Sequence, residues 1–204
     1  MSSAKTFYIS TLEETVLPVT YIEKYKDEHT KALFAKYKFN SHKDRDYFQA
    51  RISLERFISD IVLHVKNNLT LGRGDIHYFT SPPSTMFARG EKAEDSMREL
   101  LRQDTDLFTK IFSVKLSHIK NSKAQHLGSS RKKRLAKTSD RYSIYWKFKF
   151  MLMLRNPKHI QITILDDVCS TGGTLLACKQ TLQNYMQKKK PGVGLTIQVF
   201  SIAH

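Results

Sequence analysis

The chain has 204 residues, 40% of them hydrophobic and 26% charged, enough to bury one substantial core and at most a small second lobe. Against 19 Asp and Glu stand 34 Lys and Arg, a net charge of +15 with a pI near 9.8, which excludes an acidic scaffold and favours anionic partners such as phosphates or nucleic acid. Two cysteines, Cys169 and Cys178, exclude a disulfide framework and a zinc knuckle. With no apolar leader at the N-terminus and no apolar run long enough to cross a bilayer, a cytoplasmic protein without a membrane partner is expected.

In chain order, Lys31 to Lys38 predicts a short helix ending near Asn40-Ser-His. Asp44 and Asp46 then introduce a longer amphipathic helix from Tyr47 to about Lys66, with Phe48, Ile52, Phe57, Ile58, Ile61, Val62 and Val65 at helical spacing. After the Gly72-Arg-Gly-Asp75 turn, Ile76 to Thr80 reads as a short strand that Ser81-Pro82-Pro83-Ser84 stops, placing a loop at its carboxyl end. A helix is expected over Glu91 to Gln103 and a short strand over Ile111 to Val114.

Between Ser113 and Phe150 eleven basic residues face a single acid, Asp140. The Ser- and Lys-rich half up to Ser139 reads as a mobile loop. In the other half Ile144, Trp146, Phe148, Phe150, Leu152 and Leu154 alternate with other residues, which predicts a strand ended by Asn156-Pro157. The last part predicts a strand at Ile162 to Leu165, a helix from about Thr174 to Met186, and a strand from Leu195 to Ile202. Such a βαβ unit has parallel strands, and the fold class is α/β.

The segment Ile162-Thr-Ile-Leu-Asp166-Asp167-Val168-Cys169-Ser170-Thr171-Gly172-Gly173-Thr174 carries the chemistry. Two carboxylates stand where a buried strand leaves the sheet, the place at which open α/β sheets bind ligands. Ser170, Thr171 and Thr174 supply hydroxyls, Gly172 and Gly173 allow close backbone approach, and the following helix offers unpaired N–H groups, so the turn suits a phosphate. Adjacent carboxylates would repel a polyphosphate unless they meet hydroxyls or a metal-bound edge, and a phosphorylated sugar satisfies both demands. The P-loop pattern and the dinucleotide-binding glycine pattern are absent.

Hydrophobic run, Asp-Asp, small residues and Thr-Gly-x-Thr together resemble the phosphoribosyl-diphosphate (PRPP) motif of type I phosphoribosyltransferases. The similarity to the competence protein ComF family extends from about Tyr21 to His204. It includes Leu33-Phe-Ala-Lys-Tyr-Lys-Phe, Ser81-Pro-Pro-Ser, Arg89-Gly90, Gln125-His-Leu and Ser130-Arg131-Lys-Lys-Arg134-Leu. The resemblance implies a parallel-sheet, Rossmann-like phosphoribosyltransferase type I core over 71–204, with a basic hood segment, and a mainly helical N-terminal part over 1–70 packed on it. It also implies a ComF-like glycosyltransferase of nucleotide metabolism that binds Mg²⁺ with PRPP and transfers or hydrolyses the phosphoribosyl group.

By the same resemblance Asp166 and Asp167 hold the ribose hydroxyls and face Mg²⁺ through the ligand, with Arg89 as the further catalytic residue. Ser81, Pro82, Pro83, Val168, Cys169, Ser170, Thr171, Gly172, Gly173, Thr174, Arg131 and Arg134 contact PRPP. PRPP or ribose 5-phosphate is the expected ligand; nucleic acid at the basic segment and a homodimer are further options. Three features depart from the family: the N-terminal zinc-binding cysteines are missing, Lys137 stands near a frequent Asn, and Ser84-Thr-Met replaces a more basic stretch. Ser170 stands where purine-salvage relatives often carry Asp, which argues against hypoxanthine or guanine as acceptor.

Plainer readings stand beside these. An Asp-Asp pair after a strand often serves turns and helix caps. A basic run such as Arg131-Lys-Lys-Arg134 is commonly a solvated loop, Cys169 has no histidine placed by sequence to activate it, and the eight histidines lack metal-site spacing. The alternative function is a non-catalytic protein of the same fold that meets nucleic acid through its basic surface, of the DNA-uptake or competence type.

Overall fold

A computed structural model describes residues 5–10, 16–23, 27–39, 44–82, 116–118, 142–144, 146–169 and 172–204. In chain order these form β1 (Lys5–Ser10), β2 (Val16–Glu23), α1 (Glu28–Phe39), α2 (Arg45–Asn68), β3 (Ile76–Thr80), β4 (Leu116–His118), β5 (Tyr142–Ile144), α3 (Trp146–Arg155), β6 (His159–Val168), α4 (Gly173–Lys189) and β7 (Gly194–Ala203). The expected helix at 91–103 and strand at 111–114 lie outside the described residues.

Five strands make one sheet in the order β1-β2-β7-β6-β3. The β2/β7, β7/β6 and β6/β3 ladders are parallel, and only the β1/β2 pair is antiparallel. This is an α/β architecture compatible with a Rossmann-like core. Pro18 sits on β2 opposite Tyr8, but the ladder to β7 begins at Thr20, so its missing N–H falls ahead of that pairing. The N-terminal part therefore contributes two strands to the same sheet as well as its helices.

Alternation along the strands sends side chains to two cores, one on each face of the sheet. Ile76, Tyr78, Ile160, Ile162, Ile164 and Val199 pack with Leu175, Leu176, Cys178 and Leu182 of α4, Leu152 of α3, and Tyr142 and Ile144 of β5. Phe79, Leu165, Phe200 and Ile202 pack with Leu33, Phe34 and Tyr37 of α1 and with Leu54, Ile58, Ile61 and Val65 of α2. Each fully buried Leu or Ile contributes about 2 kcal/mol by removal from water, so buried apolar area is the main term holding both helical layers. One polar pair crosses the second face: His77 Nε2 and the Thr163 hydroxyl share a buried 2.9 Å hydrogen bond, and Phe79 meets the imidazole edge-on. Burial there holds the His77 pKa down at about 4.

Asp44 caps α2, its carboxylate accepting from the Asp46 N–H at 3.0 Å, as the acids at that helix start imply. The buried stripe differs from the expected one. Tyr47, Ala50, Leu54, Ile58, Ile61, Val62 and Val65 face the sheet, whereas Phe48 and Ile52 are about half exposed. Tyr47 takes the core position by stacking on Tyr37 of α1, with ring centroids 5.3 Å apart.

Two expectations in the basic segment are corrected. The alternating run after Ile144 is a helix, α3, and not a strand; the strand is confined to β5. Its Leu, Met and Lys residues suit a helix, and Leu152 reaches the core from it. Asn156, at φ 37°, and Pro157 end this helix. Within the stretch read as a loop, Leu116–His118 pairs antiparallel with β5.

Candidate functional site

The carboxyl ends of β3, β6 and β7 lie side by side. Thr80 is in register with Ile164, and Asp166 and Val168 are in register with Ser201 and Ala203. Ser81 and Pro82 therefore leave the sheet beside the last residues of β6. Gly172 follows at φ 70° and ψ 0°, a left-handed conformation that an L side chain adopts only at a cost, and it opens α4 as an N-cap that makes no side-chain hydrogen bond. Its carbonyl accepts the first helical bond, from Leu176 N–H at 2.9 Å. The N–H groups of the next residues point out of the helix end, where the dipole is positive.

Asp166, Asp167, Val168, Cys169, Gly172, Gly173, Thr174, Ser81 and Pro82 thus share one edge of the sheet. Pro83, Arg89, Arg131, Arg134, Ser170 and Thr171 lie outside the described residues. From Arg141 to the last residue the sequence holds two acids only, Asp166 and Asp167, so the negative charge of this last part of the chain is concentrated at this edge.

The two carboxylates are oriented by different elements. Asp167 is ion-paired through Oδ2 to Lys38 of α1, while its Oδ1 accepts the Val168 N–H at 2.7 Å. Its side chain is 19% exposed and that of Lys38 is 32% exposed, so the pair is shielded yet reaches the surface. Asp166 accepts the Asp167 N–H at 3.0 Å through Oδ1 and lies toward α4, close enough to push up the pKa of Cys169 and Cys178. The adjacent acids therefore diverge, one to α1 and the other to α4.

Cys169 is 2% exposed. Burial pushes its thiol up to about 12, the Asp166 charge adds to this, and the Gly172 N–H acts in the opposite direction. Cys178, fully buried, is also raised well above the ordinary thiol range, by burial first and then by Asp166. Neither thiol is a nucleophile at neutral pH, because the thiolate is the reactive form.

Sequence reading missed three groups here. Lys38 is distant in the chain and leaves no local signature beside Asp167. Ser201, fully buried, donates to the Ala203 carbonyl at 2.7 Å and fixes the end of β7. His204 Nδ1 bonds the Cys169 carbonyl at 2.8 Å, and the Cys169 N–H donates to the Ala203 carbonyl at 2.9 Å, so the last residues of β7 hold the start of the β6/α4 loop.

Among the described residues no group of three His, Cys, Asp or Glu side chains could hold a metal ion. Two carboxylates fit a cation only where a ligand supplies the remaining oxygens. Also among the described residues, no helix is long and apolar enough to cross a membrane. No protein-family model matches the chain, and no curated protein is similar to it.

Proposed function

We propose that this edge binds a 5-phosphorylated ribose, with Mg²⁺-bound PRPP as the substrate, and that the protein is a ComF-like phosphoribosyltransferase. The observation that carries the reading is the succession at the end of β6: paired carboxylates, then a left-handed glycine that is itself the N-cap of the helix that follows. The α4 N-terminus with Gly172, Gly173 and Thr174 suits the 5′-phosphate, and carboxylates one loop away suit the ribose hydroxyls. Asp166, on the α4 side, is the acid nearer that cradle, and Asp167 reaches a ligand beside its Lys38 partner.

The chain's own part in catalysis is positioning: the carboxylates fix the ribose, and the helix start fixes the phosphate, while the bond from C1 to the diphosphate oxygen breaks and its electron pair leaves with the diphosphate. Bound Mg²⁺ supplies charge neutralisation on the leaving group. Arg89, Arg131 and Arg134 are assigned there by resemblance alone. The second reading is a non-catalytic protein of this fold that meets nucleic acid through its basic surface, favoured by the net charge of +15.

Thermal unfolding with PRPP and Mg²⁺ tests the proposal, since a ligand of the native state alone raises its melting temperature. The parent is expected to gain a shift that Asp166→Asn with Asp167→Asn loses, a ligand contribution on the order of 2–4 kcal/mol from charge-assisted bonds. Equal shifts in parent and variant would refute the assignment.

A further inference from the structure

We propose that the Lys38 ammonium, in the last turn of α1, meets the C1 diphosphate of the bound phosphoribose, so that α1 forms a wall of the site. The inference rests on the reading of this edge as a phosphoribose site and adds to it a residue distant in the chain. Lys38 is ion-paired to Asp167 Oδ2, and the pair reaches the surface. A ligand hydroxyl that bonds this carboxylate therefore comes to lie beside the ammonium, which is itself a hydrogen-bond donor.

The order of groups across the edge says which part of the ligand this is. Asp166 and Asp167 are successive residues of β6, so their side chains leave opposite faces of the sheet. Asp166 acts on Cys178 of α4, whereas Asp167 pairs with α1. From one face to the other the groups run Gly172 with the α4 start, Asp166, Asp167, Lys38. A 5-phosphorylated ribose runs in the same order, with its phosphate on C5, hydroxyls on C3 and C2, and then C1. With the phosphate at the α4 start, Asp166 takes the 3-hydroxyl and Asp167 the 2-hydroxyl, which leaves Lys38 next to C1. In PRPP the C1 oxygen lies on the same ring face as the two hydroxyls and carries the diphosphate, an anion that suits an ammonium.

Local sequence explains why Lys38 stands there and its neighbour does not. Leu33, Phe34 and Tyr37 turn into the core shared with Phe79, Leu165, Phe200 and Ile202, and so attach α1 to the sheet by apolar area. Lys38 lies one turn on from Phe34, its ammonium 5.8 Å from that ring's centroid, so its stem follows the apolar side of the helix toward the sheet edge. Lys36 turns to α2 instead and pairs with Asp46 at 3.2 Å. The same helix turn thus carries one cation committed to the site and one committed elsewhere, and the second serves as a control for the first.

Affinities of the full chain for PRPP with Mg²⁺ and for ribose 5-phosphate, which lacks the diphosphate, taken from melting shifts over a range of ligand concentrations, test this. Lys38→Met should weaken PRPP binding about tenfold and ribose 5-phosphate binding by about twofold at most. Should that variant fold poorly, Lys38→Gln should show the same selective loss. Lys38→Arg keeps the charge and should bind PRPP within about threefold of the parent, and Lys36→Met should bind both ligands as the parent does. Two outcomes would overturn the proposal while leaving the phosphoribose reading in place, provided the parent binds ribose 5-phosphate: an equal loss of both ligands in Lys38→Met, which would make Lys38 a support for Asp167 only, or PRPP binding that matches the parent's. A parent that binds neither ligand would overturn both.

Discussion

At the amino ends of β3, β6 and β7 the chain closes on itself, whereas at their carboxyl ends it turns polar groups outward. The amino end is sealed by backbone bonds: Lys158 N–H donates to the Gly74 carbonyl at 3.1 Å and Gly194 N–H to the Lys158 carbonyl at 3.0 Å. Gly74, at φ 95°, and Gly194 serve close packing there, and a Cβ on Gly194 would stand 2.7 Å from the His159 ring. The carboxyl end holds two partly shielded acids and a left-handed glycine that opens a helix as its N-cap. The same residue type thus has two uses: glycine at one end lets the chain pack on itself, and at the other it leaves room for a ligand. Substitutions at the amino end should therefore change stability without changing ligand affinity, and those at the carboxyl end should change ligand affinity.

The largest expected effect on stability lies in the amino half, at His77. Its pKa is about 4 in the folded protein against 6.5 in an unfolded chain. Above pH 6.5 both states are neutral at this site and stability is full. As pH falls from 6.5 to 4 the unfolded chain takes up a proton that the folded one refuses, so stability drops by about 3 kcal/mol, and below 4 the loss is complete. Denaturant titrations at intervals between pH 7 and 4 should show this slope, reduced by that amount in His77→Gln. An equal slope in both proteins would place the acid sensitivity elsewhere.

A smaller effect should sharpen the contrast at the carboxyl edge. Lys38→Met leaves the shielded Asp167 carboxylate without its cation and should cost about 1–2 kcal/mol in urea unfolding. Because the lost partner orients an acid of the site, this variant should also alter the PRPP melting shift; a changed stability with an unchanged shift would confine Lys38 to holding α1.

The smallest effect belongs to Gly194→Ala. The methyl group displaces the His159 ring and its 2.9 Å bond to the Thr196 hydroxyl, both near the surface, for about 1 kcal/mol. Calorimetric unfolding measures it, and a PRPP shift equal to that of the parent is expected.

How much of this was legible in the sequence depended on how local the signal is. Asp44 announces α2 because capping acts within a few residues, and the β6-α4-β7 unit is legible because an apolar run, two glycines and an amphipathic helix follow one another. The buried face of α2 was misjudged because Tyr47 and Ala50 rank below Phe48 and Ile52 in hydrophobicity, yet packing against Tyr37 decides which stripe is buried. In α3 the Lys-Phe alternation imitates a strand, and only tertiary position shows that Leu152 turns inward while Phe150, Met153 and Leu154 do not. Strands β1 and β2 escaped notice for the same reason, since their partners include β7 at the far end of the chain. The acids of the site could be read from their neighbours in sequence, but the divergence of Asp166 toward α4 and Asp167 toward Lys38 could not.

The claim that the carboxyl edge binds phosphoribose is tested most directly by the PRPP melting shift of Gly172→Val set beside that of Gly194→Ala. At φ 70° a β-branched residue is strained by about 1–3 kcal/mol, so the quantity compared is the ligand-induced shift of each variant and not its melting temperature. The account expects Gly194→Ala to keep the parent's shift and Gly172→Val to lose it. Parent-like shifts in both variants would contradict it.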